Sequence, residues 1–185
     1  MDTGLLIVSI IAVVIVALLA VVVARRRRSG GLQTRFGAEY PRTVARAGDR
    51  RAAESQLAER EQRHRQFDIV DLEPDARARY LEAWRAAQGR FVDDPATATR
   101  EADALVTKVL RDRGYPVEDF EQQADDVSVD HPNVVESYRA AHVVALANGQ
   151  GLAGTDDLRQ AFVHYRSLFA ELLGTQQDGH REEAQ

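Results

Sequence analysis

"TDDLRQAFVHYRSLFAELL", Thr155 to Leu173, is the stretch that decides the fold. Leu158, Ala161, Phe162, Tyr165, Phe169 and Leu172 recur at steps of three and four, so one face of a helix carries all of them. Thr155 is placed to cap that helix. Asp156 and Asp157 complement the positive end of its dipole, and Gly174 stops it. A stripe this apolar has to be buried against partners, so the rest of the chain must supply them.

Working outward, the same period returns three times. After Pro74, which suits a first helical turn, Tyr80, Trp84, Ala87 and Phe91 form a stripe. Asp94-Pro95 restarts the chain as cap and first residue. Ala98, Ala102, Leu105, Val106, Val109 and Leu110 follow, with Gly114 and Pro116 as the stop. Pro132 is read as opening another helix, with Val134 or Val135, Tyr138, Ala141 and Ala145 inward and Asn148-Gly149 at its end. Pro116 to Asp130 is acidic and is expected to be irregular, with one helical turn around Phe120. No strand pattern competes anywhere. The predicted fold class is all-α, with residues 67–174 as a four-helix bundle-like domain and 175–185 as a disordered tail of Gln, Asp, Glu and Gly.

Ahead of the bundle, Asp49 predicts a polar helix over 49–66. Its apolar content is thin, Ala53 and Leu57, and its Glu59–Arg63 and Glu61–Arg65 pairs are in the favourable order, so it reads as a mostly solvated spacer. Residues 25–48 form a basic juxtamembrane linker, with Ser29-Gly30-Gly31 as a hinge. Leu32, Phe36 and Tyr40 either lie in a headgroup plane or dock into the domain that follows, and Pro41 interrupts any long helix there.

Leu5 to Ala24 holds 20 residues without a charge, 15 of them Leu, Ile or Val. A helix of that length spans about 30 Å, the thickness of a bilayer's hydrocarbon core. The preceding residues 1–4 carry no basic side chain and the apolar run is long for a secretory signal, so an uncut transmembrane anchor is expected over a cleaved leader. Arg25, Arg26, Arg27 and Arg28 flank the run on one side only. Positive-inside logic then places residues 1–4 outside, the anchor in the plasma membrane and the C-terminal domain in the cytoplasm. The same arginines are a candidate contact for anionic lipid.

Charge is split along the chain. Residues 25–66 carry 12 arginines against five acids, a net +7; residues 67–185 carry 12 basic residues against 23 acids, a net −11. An acidic distal domain makes nucleic acid a poor partner. With no cysteine, disulfides, thiolate zinc sites and cysteine nucleophiles are excluded. The sole lysine, Lys108, has no glycine loop before it, and no G-x-S-x-G, H-E-x-x-H or calcium-loop spacing is present. His131 and His142 are 11 residues apart, three helical turns, and His164 sits on the last helix. The Glu-x-x-His pattern of helical di-metal sites is missing, however: Arg139 and Ala161 occupy the positions three residues before His142 and His164. No metal, no cofactor and no catalytic residue are therefore expected. The acids from Glu118 to Asp130 read as a solvated loop.

Four segments, "LQTRFGAEYPRTVARAGDRRAAESQLAEREQRH", "RFVDDPATA", "RGYPVEDFEQQADDVSVDHPNVVESYRAAH" and "DLRQAFVHYRSLFAELL", together resemble a family of small actinobacterial proteins anchored in the membrane at the N-terminus. That family carries no assigned function, so the resemblance implies no activity, cofactor or partner.

The functional expectation is a non-enzymatic adaptor or scaffold that binds an unidentified protein partner at the cytoplasmic face. The alternative is a helical ligand-binding or enzymatic domain with a pocket built from Tyr138, His142, His164 and Tyr165.

Overall fold

The computed structural model describes residues 15–16, 19–20 and 29–174. Among these there is no strand. The helices are α1 (residues 29–36), α2 (Glu39–Ala47), α3 (Arg50–His64), α4 (Pro74–Arg90), α5 (Pro95–Asp112), α6 (Phe120–Asp130), α7 (Val135–Gly149) and α8 (Thr155–Leu172). The chain is all-α. It divides into two compact units, one reaching to Ala58 and the other starting at Glu59. Among the described residues no helix is long and apolar enough to cross a membrane. The run 5–24 read as an anchor falls outside the described residues except at 15, 16, 19 and 20. The Arg25–Arg28 flank and the tail 175–185 fall outside them altogether.

In the first unit, the glycines read as a hinge are helical. Ser29 is buried, and its hydroxyl donates to Glu54 Oε1 at 2.6 Å. The same oxygen accepts from Tyr40 Oη at 2.8 Å and from Arg50 Nε at 3.0 Å. Three donors on one carboxylate tie α1, α2 and α3 together. They hold the Glu54 carboxyl below its ordinary range, with the Ser29 hydroxyl the largest cause. Pro41 does not interrupt this arrangement, because it sits in the first turn of α2, where a backbone N–H has no intrahelical acceptor to lose. Leu32, Phe36, Tyr40, Ala53 and Leu57 are all buried. The linker's aromatic residues are thus interior side chains.

The second unit is a helical bundle centred on α8, which packs against α7 and α5, with α4 laid on α5. Its core joins the stripes read from the sequence. Trp84 stacks on Phe169 with ring centroids 4.7 Å apart and lies 5.0 Å from Phe162, which in turn meets Phe91 at 4.9 Å. Such aromatic pairs contribute about 0.5–1.5 kcal/mol beyond the area they bury. Asp94 caps α5 by accepting from the Thr97 N–H at 3.0 Å. Gly114 turns the chain after α5 at φ +96°. A Cβ there would lie 2.4 Å from the Asp68 carbonyl oxygen, so glycine is required both by the backbone angle and by the close approach of the connector.

Three local expectations are corrected. The acidic segment is not irregular: Phe120, Ala124 and Val127 make a short apolar face, Asp119 accepts from the Gln122 N–H at 2.8 Å as cap, and α6 runs for 11 residues. Pro132 does not open α7. It lies in the turn between α6 and α7, and the helix starts at Val135. Thr155 is the first residue of α8 rather than its cap; the preceding Gly154 donates its own N–H to Asp157 Oδ2 at 3.0 Å.

Candidate functional site

The polar side chains of the second unit gather in two places. The first is a node inside the bundle around Asp103, on the flank of α5 beside the buried Ala102. Its Oδ1 accepts the Tyr165 hydroxyl from α8 at 2.7 Å and lies 3.6 Å from His142 Nδ1 on α7. The His142 ring stacks on Phe120 of α6, with centroids 3.5 Å apart and planes 8° apart. Phe120 also meets the ring of Tyr138 at 5.0 Å, and Tyr138 meets Tyr165 edge-on at 6.3 Å. The Tyr138 hydroxyl donates to Gln123 Oε1 at 3.0 Å.

Of the four residues read as a possible pocket, three therefore converge: Tyr138, His142 and Tyr165. His164 does not join them. It precedes Tyr165 by one residue, about 100° around the helix, and is half-buried on another side of α8. Tyr138 and Tyr165 are fully buried, and both phenols are pushed above their usual range, first by burial and then by the Asp103 charge. They are neutral hydrogen-bond donors at physiological pH. Two buried nitrogens, His142 Nδ1 and Gln123 Nε2, have no hydrogen-bond acceptor. The node can donate hydrogen bonds and pair a histidine with a carboxylate. Thr107, one turn after Asp103 on α5, also reaches the Tyr138 hydroxyl.

Sequence reading missed Asp103, Phe120 and Gln123. Asp103 follows Ala102 directly on the apolar stripe of α5, and a carboxylate on the shoulder of a buried stripe is a signal that a buried donor faces it. Phe120 and Gln123 became readable only once the acidic segment was seen to be a helix.

The second gathering lies between α6 and the end of α3. Asp125 Oδ1 accepts from Arg60 Nη2 and from Arg139 Nη2, each at 2.8 Å. Asp126 is fully buried, and its Oδ1 accepts from Arg63 Nε at 2.9 Å and Nη2 at 2.8 Å. Asp130 Oδ2 lies 2.6 Å from His64 Nε2 and accepts the Tyr115 hydroxyl at 2.7 Å. Of the acids read as solvated, Asp125 and Asp126 are thus held by arginines and Asp130 meets His64. Burial raises the Asp126 carboxyl above its ordinary value, against the pull of Arg63. Nearby, His131 Nδ1 lies 3.4 Å from Glu171 Oε1. Burial holds that imidazole below its usual pKa, and the Glu171 contact opposes this in part. Among the described residues no group of three or more His, Asp or Glu side chains is arranged to hold a metal ion.

Outside both gatherings, α7 leaves apolar side chains in solvent. Val143 and Leu146 are 65% and 57% exposed, and Leu152, in the connector to α8, is 74% exposed. Ala140 is exposed on the same side of the helix as Val143.

Comparison with protein-family models, with curated proteins and with solved structures finds no match to this chain.

Proposed function

We propose that this chain is a single-pass, membrane-anchored adaptor that presents a helical bundle to a protein partner at the cytoplasmic face of the plasma membrane. The observation that carries the adaptor reading is the apolar ridge of Ala140, Val143 and Leu146 on α7, continued by Leu152. Exposed apolar side chains at successive helical turns form a surface that association would bury. The anchor rests on the uncharged run from Leu5 to Ala24. Ile15, Val16 and Leu19, the large apolar residues described within it, are helical and exposed, as side chains that face lipid would be. The orientation rests on Arg25 to Arg28, which resist translocation and also attract anionic lipid at about 1 kcal/mol per residue near the surface. The resemblance to N-terminally anchored actinobacterial proteins agrees with that arrangement.

Two experiments test the two halves. A reporter fused after Gln185 and active only in the cytoplasm should be active in the native host. Activity confined to an export-dependent reporter, or a mature chain beginning at Arg25, sinks the anchored orientation. A photo-crosslinker at position 143 should capture a protein that one at exposed Arg85 on α4 does not. Equal capture at both positions, or none at 143, sinks the adaptor.

The buried nitrogens of Gln123 and His142, which lack hydrogen-bond acceptors, favour a second reading, in which the node around Asp103 holds a small ligand with hydrogen-bond acceptors. His142→Phe keeps a ring against Phe120 and removes the polar atoms. Under this reading it abolishes any thermal stabilisation of the protein by cell metabolites; under the adaptor reading it leaves capture at position 143 intact.

A further inference from the structure

Residues 59–64, Glu-Arg-Glu-Gln-Arg-His, contain no apolar side chain, yet Arg60 among them is 3% exposed. They dock on α6 through charge. Arg60 takes Asp125, Arg63 takes Asp126 and the His64 ring meets Asp130, so a polar face spaced i, i+3, i+4 meets acids at 125, 126 and 130. Arg60 Nη1 adds a bond to Ser128 Oγ at 3.3 Å. On the other side of α6, Ala124 and Val127 belong to the hydrophobic core, which draws its residues from Tyr80 onward and none from α3. The core cluster therefore contains no strap residue, and the strap's one ring contact with it is His64 against Tyr115, centroids 6.0 Å apart.

The segment just after the strap is pinned. The Val70 N–H donates to the Arg113 carbonyl at 3.0 Å, and Arg113 reaches back to the Val70 carbonyl, to Asp71 Oδ1 and to the Leu172 carbonyl. Ile69 and Leu72 pack on the core, and Gly114 lets the Asp68 carbonyl approach. Between strap and pinned connector lie only the turn residues 65–67.

We infer that residues 59–64 form an ionic latch, which undocks from α6 by hinging at 65–67 while α4, α5, α7 and α8 stay packed. Residues 59–64, unlike Ala53 and Leu57 earlier in α3, bury no apolar side chain. Holding them by paired charges, with Asp125 and Arg63 partly open to water, makes their release a local event. Each partner stranded by release regains hydration, which offsets much of the Coulomb attraction lost. The latch stands on the second unit alone and does not depend on the adaptor reading. Its opening turns the helical segment leading into the bundle into a free tether and removes one partner from each of three carboxylates on α6, Asp125 keeping Arg139 and Asp130 keeping the Tyr115 hydroxyl.

The test is amide hydrogen exchange read by mass spectrometry on the full chain in detergent micelles. In the wild type, peptides covering 60–64 should exchange at least tenfold faster than those covering 105–110 of α5. Raising NaCl from 0.1 to 1 M shortens the screening length from about 10 to about 3 Å and should speed the strap several-fold while leaving α5 unchanged. Arg60→Gln with Arg63→Gln should speed the strap a further tenfold with α5 within twofold of wild type. The latch is overturned if strap and α5 exchange together at both salt concentrations, or if the double variant accelerates α5 as much as the strap. Should the double variant fail to fold, the wild-type salt comparison decides by itself: a strap that ignores salt is not an ionic latch.

Discussion

Replacing Gly114 by alanine separates two demands that one residue meets. At φ +96° an L side chain is disfavoured, and by analogy with the left-handed helical region this costs about 1–2 kcal/mol. The added Cβ would also sit 2.4 Å from the Asp68 carbonyl oxygen, closer than real contacts allow. That carbonyl cannot simply withdraw, because Val70 and Arg113 hold the connector on both sides through two backbone-directed bonds. Overpacking against a backbone of this kind costs about 1–3 kcal/mol, so the total is about 2–5 kcal/mol. Gly151 supplies the control within the same unit. Its φ is +71°, and a Cβ there meets nothing within 4 Å, so Gly151→Ala should cost only the backbone share of about 1–2 kcal/mol. Urea unfolding of the full chain in micelles measures both. Trp84 is the sole tryptophan and lies against Phe162 and Phe169, so its fluorescence follows the bundle core directly. At about 1–3 kcal/mol per molar urea, the midpoint for Gly114→Ala should fall by roughly 1–2 M more than wild type and clearly more than for Gly151→Ala. Equal losses for the two alanines would refute the close approach of Asp68 and, with it, the pinned side of the latch.

Three further outcomes follow from the same geometry. Trp84→Ala should destabilise the second unit by about 3–5 kcal/mol, measured by circular dichroism because the fluorophore is gone; a loss under 1 kcal/mol would mean the ring is not central to the core. His131 is buried with its pKa lowered, so the unfolded chain binds its proton more readily: the stability it contributes is complete above the ordinary value near 6.5 and is lost as pH falls through that value toward the folded one. The free energy of unfolding should drop on acidification below about pH 6.5, by no more than about 1.4 kcal/mol per pH unit for this one proton, and His131→Asn should flatten that slope in urea titrations; an unchanged slope would assign the effect to another group. Val143→Asp with Leu146→Asp should leave the melting curve within about 0.5 kcal/mol of wild type, since both side chains already face water, while abolishing photo-crosslinking from a neighbouring position such as Ala140; a large loss of stability would show the ridge to be core.

Legibility varied with what holds each helix. Where burial is apolar, the sequence is sufficient: the stripes ending at Phe91, Leu110 and Leu172 appear in the bundle where their period puts them, because side chains three and four apart must share a face. Where burial is ionic, period analysis has nothing to detect. In α6 the acids equal the apolar residues in number and disguise a face of Phe120, Ala124 and Val127. In α3 the residues from Glu59 to His64 include no apolar side chain. Their partner choice depends on arginines 60 and more residues away in the chain, which no local rule connects. The candidate node shows the same boundary. Tyr138, His142 and Tyr165 were legible as polar members of inward faces, but Asp103, which joins two of them, became meaningful only when α5, α7 and α8 were seen packed together.

The two polar gatherings also differ in how they must behave, and that difference assigns their roles. In the Asp103 node the buried groups are neutral phenols and an amide, surrounded by the aromatic and aliphatic core, so opening it means opening the bundle. Its hydrogen bonds fix the mutual register of α5, α6, α7 and α8, because Asp103 and Gln123 each accept from one particular tyrosine. In the α3–α6 gathering the groups are two arginine–aspartate pairs and a histidine–aspartate contact, with Asp125 and Arg63 partly open to water, while Ala124 and Val127 of α6 join the bundle core. A charge pair gains little over its hydrated, separated state, whereas a core side chain gains its whole transfer free energy. Polar contacts are therefore rigid in one place and releasable in the other. Motion, if the molecule uses it, begins at residues 59–67 and stops at the connector that Arg113 holds.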